Sequence, residues 1–168
     1  MSKYSISEFD DVIVDETKYG TKIKKEDYLE SGMYPIIDQG QSLIAGYTNN
    51  ENGIYKNVPA IIFGDHTRCI KYIDTPFFLG ADGVKLLKSK TDNVEYKYLY
   101  YFFIKNEIPN TGYNRHFKWL KELQIPLPPL DVQKKIADTL DAVSELLKLR
   151  KQQLAELDLL VKSRFVEM

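Results

Sequence analysis

One cysteine in 168 residues, Cys69, is too few for an intrachain disulfide or a cysteine-held metal cluster. Its simplest reading is a small buried thiol. The two histidines, His66 and His116, stand far apart and without ligand spacing, which argues against a zinc site. No stretch approaches the roughly 18 uninterrupted apolar residues of a membrane span, and no basic segment leads into an apolar run at the N-terminus. A cytoplasmic location is the expectation. Positive charge is also lacking: 23 Lys and Arg against 24 Asp and Glu give a formal net charge of -1. This argues against binding of nucleic acid through bulk charge, so any such contact must be local. Nothing in the sequence calls for a cofactor.

What is present is apolar surface. Residues of the hydrophobic class make up 43% of the chain and aromatics 12%, enough for a core and too much for disorder. The length suits one compact domain with an appendage. From Ile36 to Leu87, short apolar or β-branched runs such as Tyr34-Pro35-Ile36-Ile37, Ala60-Ile61-Ile62-Phe63 and Val84-Lys85-Leu86-Leu87 alternate with Gly, Asn, Asp and Pro. These read as strands joined by turns, with Asn52-Gly53 and Gly64-Asp65 as turn signals. Val94 to Lys105 has no breaker and carries Leu99, Phe102 and Phe103 at helical spacing, so one core helix is expected there. Its tyrosines read as core rather than as a platform for stacked bases.

Three prolines in the five residues 125–129 form a stiff connector that excludes helix interior and central strand. A domain boundary is expected here, dividing the chain into residues 1–128 and 129–168. From Leu130 to Glu167 there is no Gly or Pro, which predicts one helix of roughly 36 residues and about 55 Å. Its apolar residues recur as a heptad, with Leu140, Leu147, Leu154 and Val161 at a and Ile136, Val143, Arg150, Leu157 and Arg164 at d. Leu146 and Leu160 at g widen the stripe. Such a seam needs a partner helix unless the helix folds back along its own domain. Arg150 in the seam would fix register and orientation.

The segment Leu120 to Leu140 (LKELQIPLPPLDVQKKIADTL) resembles the junction between a target-recognition domain and the long helix of type I restriction-modification specificity subunits. Tyr34-Pro35-Ile36-Ile37, Gln39-Gly40, Gly46-Tyr47-Thr48, Ile62-Phe63-Gly64-Asp65, Gly80-Ala81-Asp82-Gly83 and Gly112-Tyr113-Asn114-Arg115-His116 follow in matching order. The resemblance implies an α+β fold: an irregular, mostly-β target-recognition domain followed by one long coiled-coil-forming C-terminal helix. It further implies double-stranded DNA as ligand, and an adenine methyltransferase subunit and a motor-nuclease restriction subunit as partners. Such subunits carry two recognition domains and two helices, whereas this chain has one of each. Two copies are therefore expected to pair in antiparallel fashion as a homodimer. The chain itself lacks an N-P-P-Y-like motif and a Gly-rich loop opening a helix after a strand, so it is expected not to be an enzyme.

Base edges are read by Arg, Asn and Gln, while Lys and small polar groups hold phosphates. Four loops offer that mixture: residues 19–22, 38–41, 65–68 and 113–116. The candidate DNA-binding residues are Lys22, Gln39, Gln41, His66, Arg68, Tyr113, Asn114, Arg115, His116 and Lys118. Asn114 and Arg115, each able to contact a base bidentately, make the last loop the expected main reader. The structural alternatives are that Tyr113 and His116 pack the helix running through Trp119, that Arg115 pairs with Glu122, and that Arg68 pairs with Asp65 or Asp74. Two other functions remain open at this point. Asp82, Glu95 and Lys97 have the loose spacing of a Mg²⁺-dependent nuclease. The long helix alone also suits a scaffold or inhibitor that joins such a complex without reading DNA.

Overall fold

A computed structural model of the chain describes residues 4–80 and 83–166. The architecture is α+β, with a strand-rich body followed by one long helix. The centre of the body is a four-stranded antiparallel sheet of β2 (Ile13–Asp15), β8 (Val84–Ser89), β5 (Ala60–Gly64) and β6 (Ile70–Ile73), in the order β2-β8-β5-β6. Strand β5 is apolar throughout because both its faces are covered, as expected of a central strand. Ile61 and Phe63 point into a core shared with Phe9, Leu87, Leu99, Phe103, Leu120 and Ile125. Ala60 and Ile62 point into a second core with Ile37, Tyr55, Phe77, Leu79 and Leu86.

The first core is roofed by α1 (Phe9–Val12), α2 (Tyr96–Lys105) and α3 (Phe117–Lys121). The second is closed by a three-stranded sheet in which β3 (Tyr34–Ile37) lies between β4 (Gly46–Thr48) and β7 (Phe78–Leu79). Strands β3 and β7 run parallel, and Lys22 bridges to the outer edge of β7 at Leu79. The turn at Asn52-Gly53 forms with Gly53 at φ 84, where a side chain would also meet Thr21. Cys69 is a free, half-buried thiol rather than a fully buried one.

Two expectations need adjustment. The first part of the proline connector is a strand: β9 (Gln124–Leu127) pairs antiparallel with β1 (Ser5–Glu8), placing Pro126 opposite Ile6, while Pro128 and Pro129 follow it. The ribbon has two strands, so β9 has a free edge where a missing N–H costs nothing. The possibility that the long helix α4 (Leu130–Val166) folds back on its own domain is also overturned. Only its first four turns touch the body, through the face carrying Gln133, Ala137, Asp141 and Ser144. Beyond Ser144 every side chain described on α4 is exposed.

Polar contacts fix the root of this helix. Gln133 is 1% exposed, and its amide is fully used: Oε1 accepts from the Glu95 N–H at 3.0 Å, and Nε2 donates to the Asn93 and Pro128 carbonyls at 3.0 and 2.8 Å. Glu95 is in turn the N-cap of α2, its carboxylate accepting from the Lys97 N–H at 3.2 Å. Two turns along α4, Asp141 accepts from Lys97 Nζ and from the Tyr101 hydroxyl. Gln133→Leu takes this partner away from the buried Pro128 carbonyl, the Asn93 carbonyl and the Glu95 N–H. It should lower the unfolding free energy by about 1–3 kcal/mol, measured by urea titration followed by circular dichroism.

Candidate nucleic-acid interface

Three of the four polar loops meet at one end of the central sheet. The turn joining β5 to β6 is closed by hydrogen bonds from Arg68 N to Gly64 O at 2.7 Å and from Gly64 N to Cys69 O at 2.8 Å. Arg68 itself takes a positive φ of 62, a backbone conformation that costs a residue with a Cβ and favours glycine. The loop 38–41 lies over this turn. The His66 N–H donates to Gln39 Oε1 at 3.2 Å, and the Thr67 hydroxyl donates to the Gln39 carbonyl. From beneath, the buried Lys71 donates to the Asp38 carbonyl at 2.7 Å. Burial pushes the Lys71 ammonium below the ordinary lysine range, and the Asp38 carboxylate at 3.5 Å offsets this only in part.

The loop 110–116 is tied to the same turn by Asp65. The Asp65 carbonyl accepts from the His116 N–H at 2.8 Å and lies 3.0 Å from His116 Nδ1, while its carboxylate accepts from the Phe117 N–H at 2.8 Å. A carboxylate at the start of α3 also suits the positive end of that helix. The His116 tautomer follows from these partners: Nδ1 carries the proton toward Asp65 O, and Nε2 accepts from the Thr111 N–H at 3.4 Å. Farther out, His66 Nδ1 lies 3.2 Å from the Asn114 carbonyl, and Arg68 donates to the Ile108 carbonyl at 3.0 Å.

This arrangement sorts the candidate residues. His116 is 0% exposed and belongs to the support, so its assignment as a DNA-contacting residue is corrected: both ring nitrogens are occupied inside the protein. Asn114 is exposed, but its amide nitrogen donates to the Thr111 carbonyl and hydroxyl. Only the oxygen side of that amide remains for a ligand, which is incompatible with bidentate reading of adenine in this conformation. Gln39 and Arg68 are half-buried and brace neighbouring loops. Among the described residues no ion pair joins Arg68 to Asp65 or Asp74. Gln41, Tyr113, Arg115 and Lys118 are exposed, and Lys118 lies 4.6 Å over the Trp119 ring. Among the described residues Arg115 makes no hydrogen bond or ion pair, so the expected alternative pairing with Glu122 is absent. Lys22 is exposed two strands away from the 38–41 loop, about 10 Å at the usual strand spacing.

Asp65 and Lys71 were missed as site-forming residues. Their partners lie 51 and 33 positions away, so no local pattern carries the signal. Asp82 of the nuclease triplet lies outside the described residues. Glu95 caps α2 and Lys97 is bound to Asp141, so neither is arranged to hold a metal or polarise water.

The family model for the type I restriction modification DNA specificity domain matches residues 1–159. A specificity subunit from Escherichia coli, that of the type I restriction enzyme EcoR124I/EcoR124II, is 31% identical over 159 residues, covering 82% of this chain and 38% of that protein. Among solved structures, the S subunit of a type I restriction-modification system from M. genitalium superposes with a TM-score of 0.65 at 21% identity, covering 87% of this chain and 40% of that one. A chain from a study of complex assembly in the type I R-M system gives a TM-score of 0.67 at 18% identity, covering 93% and 42%. At these identities the two structures speak for the fold. The chain spans about two fifths of the length of these relatives. With the family model matched from the first strand well into the long helix, the chain belongs to the type I restriction modification DNA specificity domain family.

Proposed function

We propose that this chain reads DNA sequence as the half-subunit of a type I specificity assembly. Residues 1–128 serve as the reading domain, and residues 129–168 are the helix that pairs with a second copy. The observation that carries the reading is the interlocking of three polar loops, which holds Gln41, Tyr113, Arg115 and Lys118 outward on a rigid base. Preorganised loops suit base-edge recognition, because little ordering remains to be done on binding. The seam of α4 supports the pairing: Ile136, Leu140, Val143, Leu147, Arg150, Leu154, Leu157 and Val161 lie about 100° around the helix from the face used by its own body. Antiparallel pairing would carry two reading domains at opposite ends and address a bipartite site in double-stranded DNA. The partners under this reading are an adenine methyltransferase subunit and a motor-nuclease restriction subunit, with the chemistry residing in them.

Co-purification with the methyltransferase subunit, followed by sequencing of methylated sites, tests the reading directly. A bipartite motif is expected. Arg115→Ala should cost about 1–3 kcal/mol and relax preference at one base pair of each half-site. Lys118→Ala should weaken all sequences alike and reduce the salt dependence. A stable complex without sequence preference would favour the scaffold or inhibitor. Mg²⁺-dependent plasmid cleavage lost in Glu95→Ala would favour the nuclease.

A further inference from the structure

Tyr113 is 90% exposed, at the tip of a loop whose turn is made by Gly112 at φ 79. One face of its ring lies against the His66 imidazole, with centroids 4.9 Å apart and planes 8° from parallel. The imidazole is held in turn by the Asn114 carbonyl, so the two rings form a braced plate. The Tyr113 hydroxyl has no partner among the described residues. Nothing in the folding of the body requires so large an aromatic in water, and its remaining surface is available to a ligand.

The surroundings decide what kind of ligand. An aromatic anchor for a protein partner belongs to a well-packed, largely apolar patch that excludes water. Between Asn110 and Arg115 there is no other apolar side chain, and the flanking groups are Asn110, Thr111, Asn114, Arg115 and Lys118. A flat face ringed by amides and cations suits a flat ligand with hydrogen-bonding edges and an anionic backbone, which is a nucleotide. In an intact duplex both faces of each base are covered. The plate can stack only where a step is opened or where a neighbouring base has left the helix.

We infer that the Tyr113–His66 pair is a stacking site for a nucleobase uncovered by local opening of the bound duplex. This rests on the proposal that the 110–116 loop faces DNA. Tyr113 then does more than decorate a reading loop: it stabilises a distorted half-site, and the energy of opening that step contributes to selectivity.

The test uses the full chain with its methyltransferase subunit and duplexes carrying a single abasic residue at each half-site position in turn. At one position the lesion should tighten binding by the unsubstituted protein at least tenfold, because the opening is already made. Tyr113→Phe should keep that gain, whereas Tyr113→Ala and Tyr113→Leu should lose it. A 2-aminopurine beside the lesion should be quenched by the unsubstituted protein and by the Tyr113→Phe variant, and stay bright with Tyr113→Leu. If Tyr113→Leu matches the unsubstituted protein at every lesion while Arg115→Ala still relaxes one base pair, the stacking site is refuted and the reading loop stands. If Arg115→Ala also leaves base preference unchanged, the placement of this loop on DNA is refuted with it.

Discussion

Leu147→Lys combined with Leu154→Lys should turn the proposed dimer into a monomer while leaving the reading domain folded. Both leucines occupy a positions and are 57% and 63% exposed in the single chain, with no neighbour from the body. Burying a leucine is worth about 1.5–3 kcal/mol, and the twofold pairing loses four of them. Because each is already about two fifths covered in the single chain, the low end is about 3.5 kcal/mol, which corresponds to more than a 10²-fold loss of affinity. Lysine recovers part of this by extending its ammonium to solvent, but the seam also gains like charges in successive layers. Light scattering should report the single-chain mass, and circular dichroism should show an unaltered melting of the body. A double variant that remains dimeric would remove the seam from the interface.

Lengthening α4 by one heptad between Leu149 and Arg150 should shift the preferred spacer without touching the bases read. Seven residues preserve the a and d positions and add about 10 Å. At a rise of about 3.4 Å per base pair this amounts to roughly three more unread pairs. The insertion lies beyond Ser144, where α4 no longer packs on the body, so the loops and the Gln133 anchorage are untouched. Three pairs also rotate one half-site about the DNA axis, so affinity should fall. Spacer preference, scored by sequencing of methylated sites, is therefore the informative quantity. The original spacer, or new bases in either half-site, would refute the helix as a ruler.

The parts of the fold with local signatures were readable from the sequence. A run without Gly or Pro and with a sustained heptad could be little else than α4. The unbroken Ala60–Phe63 run marked a strand, and the breaker-free Val94–Lys105 segment contains α2. Loops were a different matter, because the same polar residues serve as ligand contacts or as struts depending on partners far along the chain. His116 follows Arg115 in a basic segment and has the composition of a reader, yet its partner is Asp65. Asn114 has the chemistry to read adenine, but its amide nitrogen is already engaged by the carbonyl and hydroxyl of Thr111, three residues back. The prolines of 125–129 spoke correctly against a central strand, while the free edge of a two-stranded ribbon was a further option that depended on β1.

The Asp65 hub bears on how new specificities are acquired by grafting. Residues 39, 65–68 and 110–117 are stitched together by backbone and buried side-chain bonds, so transplanting one loop into a foreign body leaves the other two without their counterparts. They travel as a cassette. Within it, the side chains of Arg115 and the neighbouring Gln41 are not part of the stitching, whereas the Tyr113 ring stacks on His66 across it. Diversification can be concentrated at those few outward positions on a preserved frame, and a combinatorial library confined to them samples altered recognition without incurring a folding defect.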